Sequence, residues 1–218
     1  MKLPLTIAAC VLLLTACSEE DIETANFGSS FFKNQYNLVN ATDVEIAFHM
    51  ANTELDGDER NVREDKYRVK VLNAGDASTQ ITHEHNTNRQ ISFFVESVNK
   101  LGMLVQEKIK VKNDTDYHFI AMQGNSNALN LKVLKKERSD HDNVFTVRLL
   151  AAAPMSASVS GQAVVLETGE VSNWYQVDEC AGDIRIQDVA VDMCTASFGR
   201  SYLLVVNNNG LKSLVLEY

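Results

Sequence analysis

Apolar and polar side chains alternate with a period of two through much of the chain from about residue 34 onward. In each run one side-chain face is apolar and the other is polar, which is typical of an antiparallel sheet that packs on one side. The pattern therefore predicts a series of β-strands, and the clearest runs cover residues 44–48, 66–71, 91–95, 108–112 and 129–133.

Short clusters of Gly, Asn and Asp separate these runs, at residues 56–58, 73–76, 113–114, 124–127 and 207–210. Such residues favour tight turns, and short strands at even spacing are typical of a sandwich or a barrel. The segment after the leader contains no convincing amphipathic helical pattern. The sequence predicts an all-β fold.

The chain also contains an internal repeat. Residues 117–131 align without gaps on residues 202–216, and in both a tyrosine opens an apolar strand that a Gly/Asn turn follows. Upstream, residues 36–42 are similar to residues 147–153. The repeat predicts a first β-sandwich over 34–136, a polar linker over 137–142 and a smaller second β-sandwich over 143–218.

The first residues have the pattern of a leader, with Lys2 ahead of an apolar run over 5–14 that is too short to span a bilayer. The following Leu14-Thr15-Ala16-Cys17 resembles the lipobox of bacterial lipoproteins. The resemblance implies a signal peptide over 1–16 and palmitate-type acylation of Cys17. The alternative is an ordinary secretory signal with an incidental cysteine.

The residues after Cys17 predict where the protein is anchored. In lipoproteins of enteric type, Ser18 in place of aspartate implies sorting to the outer membrane. Residues 17–33 then form the lipidated cysteine and an acidic tether, whose like charges favour an extended chain. The sequence leaves open whether the protein faces the periplasm from the inner leaflet or decorates the surface leaflet.

A second resemblance concerns the folded part. Residues 38–42 (Leu-Val-Asn-Ala-Thr), residues 148–154, residues 66–71 and the terminal hairpin look like tandem immunoglobulin-like domains of a bacterial lipoprotein family that is a domain of unknown function. Units of that family open with Arg-Val-x-x-x-Asn/His-Ala-Ser-Pro, so Thr42-Asp43 and the short second unit depart from it. The resemblance implies a fold and a location, and it implies no catalytic residues.

Charge and motifs exclude several classes of function. The chain has 20 basic and 29 acidic residues and a formal net charge of −9, which argues against binding nucleic acid or anionic lipid through a basic surface. The nearest match to a nucleophile elbow, at residues 199–203, lacks the second glycine. We therefore expect no enzymatic activity and no cofactor.

The four cysteines reduce to one pair. Cys10 leaves with the leader and Cys17 is acylated, so Cys180 and Cys194 remain. In an oxidising compartment, two cysteines in one domain are most simply a disulfide. This disulfide would stabilise the smaller second sandwich, which has less core to bury.

Two features remain as candidate sites. His83 and His85 share one strand face and could bind copper, nickel or zinc if His49, His118 or another residue added a third ligand. Trp174 would be exposed for a partner if Tyr175 faces the core, or it would cover the sandwich rim or the domain interface.

The favoured function is a lipid-anchored, non-catalytic envelope protein that binds or scaffolds an envelope protein or a glycan. The alternative is periplasmic metal handling by His83 and His85.

Overall fold

A computed structural model describes residues 32–124 and 128–218. The predicted signal peptide, Cys17 and all of the tether except its last two residues lie outside the described residues. Within the described residues, no helix is long and apolar enough to cross a membrane.

The described residues form sixteen strands and a single 3-10 turn at Asp65–Tyr67. No α-helix occurs among them, because the alternating pattern and the frequent turn residues favour strands throughout. The strands are β1 (Lys33–Ala41), β2 (Ile46–Asn52), β3 (Arg68–Leu72), β4 (Thr79–Glu84), β5 (Gln90–Ser97), β6 (Leu104–Lys110), β7 (Tyr117–Gln123), β8 (Leu129–Lys135), β9 (Phe145–Ala151), β10 (Met155–Val159), β11 (Gln162–Leu166), β12 (Tyr175–Val177), β13 (Ala181–Ile186), β14 (Val189–Asp192), β15 (Ser201–Asn207) and β16 (Gly210–Leu216).

These strands build two sandwich-like units of two four-stranded sheets each. The first unit, β1 to β8, has the sheets β4-β1-β7-β8 and β3-β2-β5-β6, and the second unit, β9 to β16, has β12-β9-β15-β16 and β11-β10-β13-β14. The two orders are identical when β9 is matched to β1. The predicted all-β fold of tandem immunoglobulin-like sandwiches is therefore confirmed. Each unit also contains one parallel pair, β1 with β7 and β9 with β15, among otherwise antiparallel pairs.

The strand register agrees with most of the repeat seen in the sequence. Tyr36 pairs with Tyr117, and Val147 pairs with Tyr202, so the alignment of residues 36–42 on 147–153 holds in space. The two repeat tyrosines also accept equivalent hydrogen bonds. The hydroxyl of Tyr117 accepts a hydrogen bond from the backbone N–H of Lys112 at 2.9 Å, and the hydroxyl of Tyr202 accepts one from the backbone N–H of Ser197 at 2.8 Å. In each case the donor lies five residues before the tyrosine.

The gapless alignment fails in the closing strand of each unit. Leu131 pairs with Ala121, whereas Leu216, its partner in the alignment, pairs with Tyr202. The reason is the hairpin loop, because residues 124–128 separate β7 from β8 but only Asn208 and Asn209 separate β15 from β16. The shorter loop shifts the register of β16 against that of β8.

Each unit has its own core between its sheets. In the first unit the ring of Phe119 meets the rings of Phe48 and Phe93 edge to face, with centroids 5.0 Å apart in each pair. The core of the second unit is mainly aliphatic. The predicted disulfide between Cys180 and Cys194 is present there, with Cα atoms 4.7 Å apart, and it joins the start of β13 to the end of β14.

A third apolar cluster lies between the two units, at an interface that we call the seam. Side chains from β1 and β7 pack there against side chains from β9, β15 and β16, so the sheets of the two units stack face to face. As a result β7, β9 and β15 are buried at every residue, and the expectation of one polar face fails for them. The cluster comprises Val39, Ala41, Ile120, Met122, Leu150, Ala152, Leu203, Val205 and Val215.

Candidate functional site at the seam

A buried ionic cluster occupies one end of the seam. His118 of β7 and Arg148 of β9 approach each other across the interface, and Glu217 lies between them directly after β16. Nε2 of His118 is 2.9 Å from Oε2 of Glu217, and Nε of Arg148 donates to Oε1 of Glu217 at 2.6 Å. The side chains of His118 and Glu217 are 0% exposed and that of Arg148 is 5% exposed. Strand alternation explains the placement, because Phe119 points into the core and its neighbour His118 therefore points to the seam.

The same cluster fixes the connection between the units. Arg148 donates from Nη1 to Oε2 of Glu137 at 3.1 Å and from Nη2 to the carbonyl of Lys135 at 3.0 Å. The backbone N–H of Glu137 donates to Oε2 of Glu217 at 3.1 Å. The planar guanidinium thus bonds to three acceptors at once, a geometry that lysine could not supply.

Electrostatics keep the central carboxylate charged. Burial alone would raise the pKa of Glu217, but the hydrogen bonds and charges of His118 and Arg148 outweigh burial, so its pKa lies below the ordinary value. Both oxygens of this buried carboxylate are paired, which offsets the cost of burying its charge. Removing Arg148 or Glu217 alone would leave the charge of its partner buried and uncompensated. The cluster therefore joins the second unit to the linker and to the first unit.

Trp174 belongs to this cluster. Its ring is half-buried and lies over the guanidinium of Arg148, 5.0 Å from the centroid, which is a cation–π contact. Because Arg148 also bonds to Glu137 and to the carbonyl of Lys135, Trp174 lies beside the connection between the units. Its use as a partner contact stays a prediction.

An open cleft of about 270 Å³ lies beside the apolar part of the seam. Strands β6, β7 and β8 of the first unit and the turn after β11 of the second unit form its walls. The pKa of Glu107 in this cleft is raised because burial outweighs the opposing charge of Lys132. The side chains that line the cleft include a carboxyl, an ammonium, an amide and a hydroxyl group, and these groups can hydrogen-bond a ligand that is rich in hydroxyls or amides. The lining residues are Val105, Glu107, Met122, Asn130, Leu131, Lys132, Thr168 and Gly169.

His83 and His85 are packed against the first unit. Nε2 of His83 is 3.3 Å from Oδ1 of Asn52, and its ring meets the ring of Tyr36 edge to face. His85 follows β4, is 4% exposed and packs against Phe32. Burial, with a smaller effect of His85, lowers the pKa of His83 to about 4, and burial also lowers the pKa of His85. Both imidazoles are therefore neutral near pH 7.

The other candidate ligands are used elsewhere. His49 is buried, with its ring against Phe94 and its Nε2 3.5 Å from Oε1 of Glu96, and His118 belongs to the seam. Among residues 32–124 and 128–218, no group of three or more His, Cys, Asp or Glu side chains is placed to hold a metal ion. The structure does not bring His49 or His118 to the pair His83 and His85.

The ionic cluster was not predicted from the sequence, although a signal for it exists. Arg148 is the one charged residue of the mainly apolar strand β9, and His118 interrupts the apolar residues of β7. Continuous apolar runs are typical of strands buried on both faces, and a charged residue inside such a run needs a buried partner. The partner Glu217 is distant in sequence, so it could not be identified without the fold.

Comparison with known proteins adds no relative. No known family model matches the chain, and no curated protein matches it either. The function is therefore inferred from the geometry of the seam and of the surfaces around it.

Proposed function

We propose that this protein is a lipid-anchored, non-catalytic envelope protein that acts as a binding or scaffold module for an envelope protein or a glycan. The seam is the observation that carries the proposal. Its buried charges are satisfied by one another, so they serve to join the units. What the joined units offer to a ligand is the cleft at the seam and the outer surfaces of the sheets.

The anchor is supported by the lipobox-like Leu14-Thr15-Ala16-Cys17. Acyl chains bind a bilayer with about 0.8 kcal/mol for each buried methylene, so several chains on one cysteine hold a protein firmly. We expect Cys17→Ala to move the protein from the membrane fraction to the soluble fraction. Cys10→Ala is the matched control and should leave it in the membrane fraction. A Cys17→Ala variant that still sediments with membranes after a high-salt wash would contradict the anchor.

The binding role is tested with a defined envelope glycan. Purified peptidoglycan sacculi are incubated with the protein and sedimented, and the bound fraction is measured. If the cleft binds glycan, Lys132→Gln removes one charge-assisted hydrogen bond and should weaken binding about tenfold. Lys108→Gln, on β6 and outside the cleft lining, should bind as the unchanged protein does. Equal binding by both variants would show that the cleft is not the glycan site.

A further inference from the structure

Strand β11 ends one sheet of the second unit, and it is hydrogen-bonded to β10 alone. Its residues Gln162-Ala163-Val164-Val165-Leu166 include no charged side chain. Val164 and Leu166 point into the core, whereas Ala163 is exposed and Val165 is 71% exposed on the outer face. The strand therefore presents unpaired backbone groups and apolar side chains to solvent.

The other edge strands of the described residues differ from β11. Proteins protect sheet edges with charged side chains or by keeping the edge strand very short, because an open edge pairs with other chains. Every other described edge strand longer than three residues carries a charged side chain, and the remaining one, β12, has three residues. The protecting residues include Arg68 and Lys70 of β3, Glu84 of β4, Lys108 of β6, Lys132 of β8, Asp192 of β14 and Lys212 of β16.

The edge of β11 is complementary to itself. If two copies pair antiparallel about Val164, Ala163 of each copy faces Val165 of the other, and Gln162 faces Leu166. The first charge beyond the strand, Glu167, then faces Gly161, so no like charges meet. This matters because the chain carries a net charge of −9, and two copies would repel each other over most of their surfaces.

We propose that β11 is the site of self-association, where two copies of this chain pair edge to edge and join their sheets into one. The contact is isologous, as two-fold dimers require, and its backbone hydrogen bonds are those of strand addition. Five residues bury less than a standard interface of about 1,200–2,000 Å², so the pairing needs a high local concentration. It is independent of any glycan or protein ligand.

The test uses disulfide trapping in cells that carry the full chain. In the proposed register Ala163→Cys and Val165→Cys of two copies lie opposite each other, at a Cβ distance that a disulfide can span. The double variant should form at least about fivefold more disulfide-linked dimer than either single variant, since identical residues lie diagonally, about 7–8 Å apart. The dimer is detected by non-reducing electrophoresis, with the unchanged protein as the background for its own cysteines.

A matched control lies on β4, an edge strand of the first unit that carries Glu84. Gln80→Cys/Thr82→Cys places two cysteines two residues apart on the exposed face of this edge, and it should form no more dimer than the background. Dimer formation equal to that of the β11 pair, or no dimer from the β11 pair, would overturn the proposal. A trapped product whose mass is not twice that of the chain would also overturn it and would indicate a different partner.

Discussion

The first unit surrounds Phe119 with the rings of Phe48 and Phe93, whereas the second unit has Leu204 at the position of β15 that corresponds to Phe119. In each unit we call the sheet that lies away from the seam the outer sheet, β3-β2-β5-β6 in the first unit and β11-β10-β13-β14 in the second. The outer sheet of the second unit has the shorter strands, and the disulfide closes its β13–β14 hairpin. A unit that buries less apolar surface has less to offset the entropy of its chain, and a cross-link compensates for this. The same strand order is therefore compatible with two different sources of stability.

The connections of the outer sheets differ as well. Residues 53–67 join β2 to β3 in the first unit and cover the outer face with Val62 and Tyr67, whereas Ser160 and Gly161 join β10 to β11 in the second. Both residues of the short turn have positive φ, 47° and 79°, as tight hairpin turns that follow the twist of the strands require. The outer face of the second sheet therefore has no such cover, and this is where β11 is exposed.

The largest effect should come from the aromatic core. Phe119→Ala should lower the free energy of unfolding by about 4 kcal/mol, and Leu204→Ala, the matched change in the second unit, by about 3 kcal/mol. The difference reflects the two edge-to-face ring contacts that only Phe119 makes. Urea denaturation followed by circular dichroism measures both. A larger loss for Leu204→Ala would contradict the view that the first unit depends more on a single side chain.

The next effect concerns the disulfide. Cys180→Ser/Cys194→Ser should lower the free energy of unfolding by about 3 kcal/mol, since the loop spans 14 residues. The second unit should lose this stability. Its unfolding can be followed by the fluorescence of Trp174, which is the one tryptophan of the chain. Phe119→Ala is the contrasting variant. Unfolding of each variant is followed by tryptophan fluorescence and by circular dichroism. If the two probes give the same transition midpoint in both variants, the seam couples the units into one cooperative transition.

The sequence was sufficient for the parts of the fold that depend on local pattern. Alternation predicted strands such as the run at residues 91–95, which lies within β5, and cysteine arithmetic predicted the pair Cys180 and Cys194. The run at residues 44–48 was placed two residues too early, because β2 begins at Ile46. Interactions between segments far apart in sequence were not predictable. The packing of the units face to face depends on β7 and β15 being buried on both sides, and the salt bridge of Arg148 depends on Glu217, which the fold alone brings within 2.6 Å.

The smallest expected effect concerns the histidine pair, which only the first unit contains. Ile81 pairs with Tyr36 as Tyr175 pairs with Val147, so Val177 of the second unit occupies the position of His83. At neutral pH His83 and His85 are neutral and can bind a metal without first losing a proton. The affinity of the pair for a metal is limited by the number of ligands, because two nitrogens are fewer than the three or four ligands that tight sites use.

We therefore expect titration of the purified protein with copper or zinc at pH 7 to give a dissociation constant no tighter than about micromolar, or about 8 kcal/mol. His83→Gln/His85→Gln should change this value little, as should His141→Gln, a control at an exposed histidine of the linker. Nanomolar binding that the double variant loses and the control keeps would support metal handling by the first unit. The two units would then differ in function as well as in the source of their stability.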